Sequence, residues 1–162
     1  MSEASRTAWV TGASSGIGRA VALGLASEGW TVAVSARSRE KLAELEAEHP
    51  GNIVAYPLDV TDRDATLSVA SRVEAAHGPI ELAIFSAGSY RRDSARRFNS
   101  QALADVMTLN VIGTGHCLEA VVPGMMANRL GRIAVIASVA GYVGLPGGAF
   151  YGATKSALIT LC

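Results

Sequence analysis

Thr11-Gly12-Ala13-Ser14-Ser15-Gly16-Ile17-Gly18 places three glycines within eight residues. Immediately before it runs the apolar segment Ala8-Trp9-Val10, and immediately after it Ile17, Val21 and Leu25 recur every fourth residue, on one face of a helix. Three glycines in so short a span serve a tight turn, a side-chain-free approach for a pyrophosphate, and close packing of helix on strand. The helix that begins there offers unpaired N–H groups and the positive end of its dipole to an anion. The spacing is GxxxGxG, not the GxGxxG of the commonest dinucleotide fingerprint. Three glycines alone could be a structural turn. Their position between a buried strand and an amphipathic helix makes this a phosphate-binding loop, with Gly12, Ser14, Ser15, Gly16, Ile17 and Gly18 as the candidate contacts.

The pattern repeats outward from that turn. Val32-Ala33-Val34, Ile53-Val54-Ala55-Tyr56, Leu82-Ala83-Ile84-Phe85 and Ile133-Ala134-Val135-Ile136 are apolar almost throughout, as strands buried on both faces of a parallel sheet require. Segments with helical spacing separate them. Ser38 caps a short helix carrying Leu42 and Leu45, and Thr61 with Asp64 forms a capping pair before Ala65, Val69, Val73 and Ala76. A long helical region fills 101–128, its course disturbed by Asn110, Gly113, Gly115 and Pro123. Strand and helix thus alternate at least four times, which predicts an α/β fold with an open, doubly wound parallel sheet. No repeat or linker divides the chain, so residues 1–162 are expected to form one domain.

The second strand ends Val34-Ser35-Ala36-Arg37, about twenty residues beyond the glycine turn. An acidic residue here would accept hydrogen bonds from the adenosine ribose of NAD. Arg37 stands there instead, and a guanidinium suits a 2′-phosphate. NADP is therefore expected over NAD, with Arg19 and Arg39 as possible helpers. An isolated arginine is usually a solvated surface residue; its place after the second strand favours the cofactor.

Tyr151-Gly152-Ala153-Thr154-Lys155 sets a phenol and an ammonium four residues apart, on one face if the segment is helical. A free phenol titrates near pH 10 and is a poor proton acceptor at neutrality. A cation about 4 Å away, at an effective dielectric of about 20, favours the phenolate by about 4 kcal/mol. Lys155 and a positive nicotinamide ring are thus adequate to make Tyr151 a general acid/base. YxxxK alone is a weak signal. It gains weight from Ser138, just past the fifth apolar run at the carboxyl end of a strand, where ligands bind in such sheets.

Taken together these residues resemble the short-chain dehydrogenase/reductase family in its standard, non-extended form. The turn 11–18 matches that family's TGxxxGxG in full, and Asp59 in Leu58-Asp59-Val60 matches its adenine-contacting acid. Asn110, Ser138, Tyr151 and Lys155 fall where its catalytic residues would lie. The resemblance implies a Rossmann-like sheet and hydride transfer between a nicotinamide dinucleotide and a carbonyl or alcohol. It implies Tyr151 as acid/base, Ser138 bonded to the substrate oxygen, Lys155 on the phenolate and the nicotinamide ribose, and Asn110 anchoring a water beside Lys155. No metal is implied. Where the family usually has Asn-Ala-Gly after the fourth strand, this chain has Ser86-Ala87-Gly88, which are kept, with Val60, as cofactor-side positions. The resemblance also implies a homo-oligomer, built through the 101–128 helix and the one starting near Tyr151.

Composition narrows the alternatives. Fourteen basic and fourteen acidic residues cancel, so no net field attracts nucleic acid, despite Arg91-Arg92 and Arg96-Arg97. The uncharged stretch between Arg132 and Lys155 is long enough to span a bilayer. Its five glycines and one proline rule out a continuous helix, so no membrane contact is expected. Met1-Ser2-Glu3-Ala4-Ser5-Arg6 carries no apolar signal, and Cys117 and Cys162 are too far apart for a CxxC pair. Reduced thiols and a cytoplasmic location follow as expectations. His49, His77 and His116 lack ligand spacing and read as surface or satisfied core residues. The sequence stops at Cys162 inside an apolar helix, so the sheet is expected to be truncated after its fifth strand, with the adenosine half of the site complete and the nicotinamide and substrate half unfinished. The alternatives to catalysis are a dinucleotide-binding regulator and an inactive fragment. A partly apolar substrate is suggested by Ala140-Gly141-Tyr142-Val143-Gly144-Leu145-Pro146.

Overall fold

A computed structural model describes residues 6–162; the segment 1–5, read above for a signal, lies outside the described residues. Five strands form one parallel sheet: β1 (Thr7–Thr11), β2 (Thr31–Ser35), β3 (Ile53–Ala55), β4 (Ile80–Phe85) and β5 (Arg132–Val135). Their order is β3-β2-β1-β4-β5, so the chain winds outward from β1 first in one direction and then in the other. The reversal falls between β1 and β4, where Thr11 pairs with Phe85, and it opens a crevice at the carboxyl ends of those strands.

Alternation along β1 sends Trp9 to one face of the sheet and Val10 to the other. Trp9 joins Phe85, Val69, Val73, Cys117 and Val121, the core under helices α3 (Arg63–His77) and α5 (Gly113–Asn128). Its ring meets that of Phe85 edge to face at 6.1 Å, and its indole N–H donates to Ser35 Oγ at 2.9 Å. Val10, Val32 and Val34 pack with Ala22, Ala26, Leu42 and Leu45, the core under α1 (Gly16–Ser27) and α2 (Arg39–Glu48).

Several expectations need correction. The buried row of α1 is Gly18, Ala22 and Ala26, not Ile17, Val21 and Leu25; Ile17 is exposed. Small residues let this helix lie close to the strands, and a Cβ at Gly18 would stand 2.6 Å from the Gly12 carbonyl oxygen. The N-cap of α3 is Asp62, which accepts from Ala65 N, while Thr61 instead donates to Asp59. Ala76 is exposed, and Tyr56 falls outside β3. Ser38 does cap α2, accepting from Lys41 N, a contact worth about 1 kcal/mol. The 101–128 region is continuous: α4 (Ser100–Met107) runs through a π-helical turn at Thr108–Ile112 into α5, and Pro123 does not break it. The side chains of β5 are largely exposed, unlike those of β1 and β2, because only Val135 of β5 packs against either core. The uncharged stretch 133–154 divides into β5, a 3-10 turn at Val139–Gly141, a loop and the start of α6 (Ala149–Leu161). No helix among the described residues is long and apolar enough to cross a membrane.

The turn 12–18 tests this packing. Gly12 has φ +69°, and a Cβ there would lie 2.6–2.7 Å from the Ser86–Ala87 backbone; Gly16 has φ +56° but faces open space. Gly16→Ala is expected to cost the left-handed strain alone, about 1–2 kcal/mol. Gly12→Ala adds a backbone clash, for about 2–5 kcal/mol in all. Urea denaturation of the two variants checks the order.

Candidate functional site

The crevice between β1 and β4 is a cleft of about 470 Å³. Its floor is the glycine turn. No side chain caps α1, whose N-cap Ser15 makes no capping hydrogen bond and whose first turn holds no acid. The positive end of that helix therefore opens on the cleft. Gly12, Ser14, Ser15 and Ile17 line it. Gly16 and Gly18 do not: Gly16 starts the helix, and Gly18 lets the helix close on Gly12. Bare backbone at Gly12 thus lies beside free helix N–H groups, the arrangement expected of a pyrophosphate cradle.

One end of the cleft is cationic. Arg37 follows β2, and Lys41 projects from the first turn of α2. Neither has an acidic partner among the described residues. Lys41 was not anticipated. The Ser38 cap held the signal, since it places Lys41 one turn beyond Arg37. Arg19 is instead paired with Glu48, and Arg39 lies outside the lining. Asp59 and Val60 form the neighbouring wall. Asp59 Oδ1 is fixed by the Thr61 N–H at 3.0 Å and the Thr61 hydroxyl at 2.8 Å. Val60 packs on Gly113, where a Cβ would stand 2.8 Å from Val60 Cγ2.

The other end carries Tyr151 and Lys155, both lining the cleft from α6. Lys155 Nζ lies 5.5 Å from the centre of the Tyr151 ring and donates to the Ile136 carbonyl. Its side chain is buried with no carboxylate beside it, and that burial lowers its pKa below the ordinary lysine value. Ser86, Ala87 and Gly88 complete the wall on the β4 side. The Ser86 hydroxyl makes no hydrogen bond among the described residues. The buried Thr11 hydroxyl also has no partner among them.

Asn110 sits behind this wall, fully buried in the π-helical turn. Its side chain accepts from Ser89 N at 2.9 Å and donates to Ser89 O and Thr154 Oγ1, each at 3.0 Å. It therefore ties α4–α5 both to the segment after β4 and to α6. A π turn widens a helix by one residue and often marks a functional position. Gly88 keeps room here, since a Cβ would lie 3.3 Å from Asn110 Oδ1 and 3.9 Å from Lys155 Nζ. Ser138 is half-buried and outside the lining; its Oγ accepts from Ala140 N at 3.2 Å, which leaves its proton to donate elsewhere. Tyr90 was also missed. It lines the cleft and stacks edge-on against Tyr151, and nothing in its sequence surroundings pointed there.

The histidines and thiols stay apart from this chemistry. His77 meets the Tyr56 hydroxyl and His116 the Val60 carbonyl. Burial pushes the Cys117 thiol up to about 12, which keeps it an inert core residue.

The family model described as short chain dehydrogenase matches residues 6–162. Among curated relatives, an uncharacterized oxidoreductase of Myxococcus xanthus is 38% identical over 158 residues, covering 96% of this chain and 62% of the relative. The 3-oxoacyl-(acyl-carrier-protein) reductase FabG of Staphylococcus aureus is 37% identical over 161 residues, covering 96% and 65%. The chain thus spans just under two thirds of the length of these relatives. Two solved structures share its fold closely. Xylitol dehydrogenase bound to NAD+ superposes with a TM-score of 0.92 at 36% identity, over 96% of this chain and 62% of that one. ElxO bound to NADP superposes with a TM-score of 0.91 at 27% identity, over 97% and 65%. A family match across all the described residues, together with a sheet shared this closely, establishes that the chain belongs to the short chain dehydrogenase family.

Proposed function

We propose that this chain carries the cofactor-binding and catalytic part of an NADP(H)-dependent oxidoreductase that interconverts a carbonyl and an alcohol. The observation that carries the reading is one cleft with two unpaired cations, Arg37 and Lys41, at one end and the Tyr151–Lys155 pair at the other. Relatives with this fold bind NAD+ or NADP, so the family supports a nicotinamide dinucleotide and the cations favour its 2′-phosphorylated form. When bound, that cofactor would supply or accept the hydride.

In this reading the chain's own residues bind, orient and move a proton. The α1 N-terminus holds the pyrophosphate, Asp59 and Val60 flank the adenine, and Ser86, Ala87 and Gly88 wall the far side. Tyr151 Oη exchanges the substrate proton. Lys155 stabilises the phenolate and bonds the nicotinamide ribose, and Ser138 donates its free proton to the substrate oxygen. Asn110 works from behind, through its bonds to Ser89 and Thr154, to hold α6 against the cleft wall. The substrate would be a small carbonyl or alcohol. A homo-oligomer and a cytoplasmic setting belong to the same proposal.

If Arg37 pairs with a 2′-phosphate, the charged bond is worth roughly 1.5–3 kcal/mol, about ten- to a hundredfold in affinity. Arg37→Ala is expected to weaken NADPH binding by that factor and leave NADH nearly untouched, as read by fluorescence titration; equal losses would refute the assignment. Tyr151→Phe removes only the phenolic oxygen, so turnover in a carbonyl screen should vanish while NADPH still binds. Lys155 makes a prediction in pH. Its folded pKa lies below its unfolded one, so at neutral pH the buried ammonium costs stability. That cost fades as pH rises through the lowered pKa towards the ordinary lysine value of about 10.4, because the folded state sheds its proton first. Lys155→Met should therefore melt higher than the parent at pH 7, with a gap that narrows as pH rises, while losing turnover and cofactor affinity. A gap independent of pH would contradict the burial account.

A further inference from the structure

A helix begins with four N–H groups that have no partner inside the helix. At the start of α6 the local sequence offers none either. The N-cap is Gly148, which has no side chain to cap the turn, and the first turn contains no acid. The partner comes from 57 residues away: Phe150 N donates to Asp93 Oδ2 at 2.8 Å. The segment carrying Asp93 is fastened to the same place by two further bonds. Asp93 N and the Tyr90 hydroxyl both donate to the Gly147 carbonyl, each at 3.1 Å.

Aromatic contacts flank these bonds. Tyr90 meets Tyr151 edge to face at 5.5 Å, and Phe98 meets Phe150 in the same way at 5.1 Å. Close approach requires a bare backbone beneath. Gly147 has φ +73°, and a Cβ there would lie 3.1 Å from Arg92 Nε. The base of the segment is held through Ser89 by Asn110, which also reaches Thr154 on α6. Residues 89–98 thus form a strap across the first turn of α6.

Asp93 stands in a second cleft lined by Arg91, Arg92 and Arg97, yet it forms no ion pair with any arginine among the described residues. Its carboxylate is committed to the helix, where an anion is favoured by the dipole. We infer that Asp93 is a positioning residue: it caps α6 from a distance and so sets the orientation of Tyr151, the third residue of that helix. The cap stands on geometry alone; its consequence for chemistry rests on the proposed role of Tyr151.

The test pairs Asp93→Ala with Asp93→Asn, since asparagine keeps the acceptor and is itself a good N-cap. Amide hydrogen exchange at Phe150 is read on the chain itself. It should quicken about five- to tenfold in Asp93→Ala and stay within about twofold of the parent in Asp93→Asn. The 13Cζ resonance of Tyr151, assigned with Tyr151→Phe, should move in the alanine variant and not in the asparagine one. Where a carbonyl is turned over, kcat should fall about tenfold in Asp93→Ala with KM for NADPH held, and Asp93→Asn should restore it. Unchanged exchange at Phe150 overturns the cap. Lost protection with an unmoved Tyr151 resonance overturns the positioning. A parent protein without turnover would sink the reductase reading and leave the exchange result to decide the cap.

Discussion

The cleft depends on one close approach, that of the glycine turn to the end of β4. Gly12 passes so near the Ser86–Ala87 backbone that no side chain fits between them, and Gly18 lies equally close to Gly12. Because both contacts are backbone to backbone, they set the distance between the α1 N-terminus and the wall that ends in Gly88. That spacing shapes the crevice at the strand reversal and leaves the backbone of Gly12 bare in its floor. The two cores lock the arrangement from either face. Trp9 bonds Ser35 and packs on Phe85 beneath it, so β2, β1 and β4 cannot shift against one another without breaking buried contacts.

A second constraint governs the opposite end. α6 carries Tyr151 and Lys155, but its own first turn supplies no cap, and its lysine is buried without a counter-charge. Its position is determined from outside, by Asn110 through the π-helical turn and by the strap that follows β4. The residues that touch the cleft are therefore held by groups behind it. The unfavourable burial of Lys155 is a local instability that suits a group meant to meet a ligand.

Much of this was legible in the sequence, for identifiable reasons. Val32-Ala33-Val34 and Ile84-Phe85 read as strands because burial on both faces removes polar alternation, and the glycine turn stood out because its φ values and contacts exclude other residues. β5 misled for the same reason, since an edge strand with exposed side chains carries the same apolar sequence as a central one. The face of α1 was misread because close packing selects Gly18, Ala22 and Ala26, which a count of large apolar residues passes over. Of the cleft residues, those within a motif were foreseen. Lys41, Tyr90 and the strap were not, because their roles come from contacts between segments far apart in the chain. Ser138 and Asn110, expected at the site, stand beside and behind the lining instead of within it.

In the proposed reading, the crevice between β1 and β4 holds a nicotinamide dinucleotide along its whole length. Titration of the 15N-labelled chain with NADPH, followed residue by residue, tests this. Saturable amide shifts are expected in the turn 12–18, at Arg37 to Lys41, at Asp59 and Val60, and at 86–89. Shifts that do not saturate, or that gather elsewhere on the surface, would contradict it.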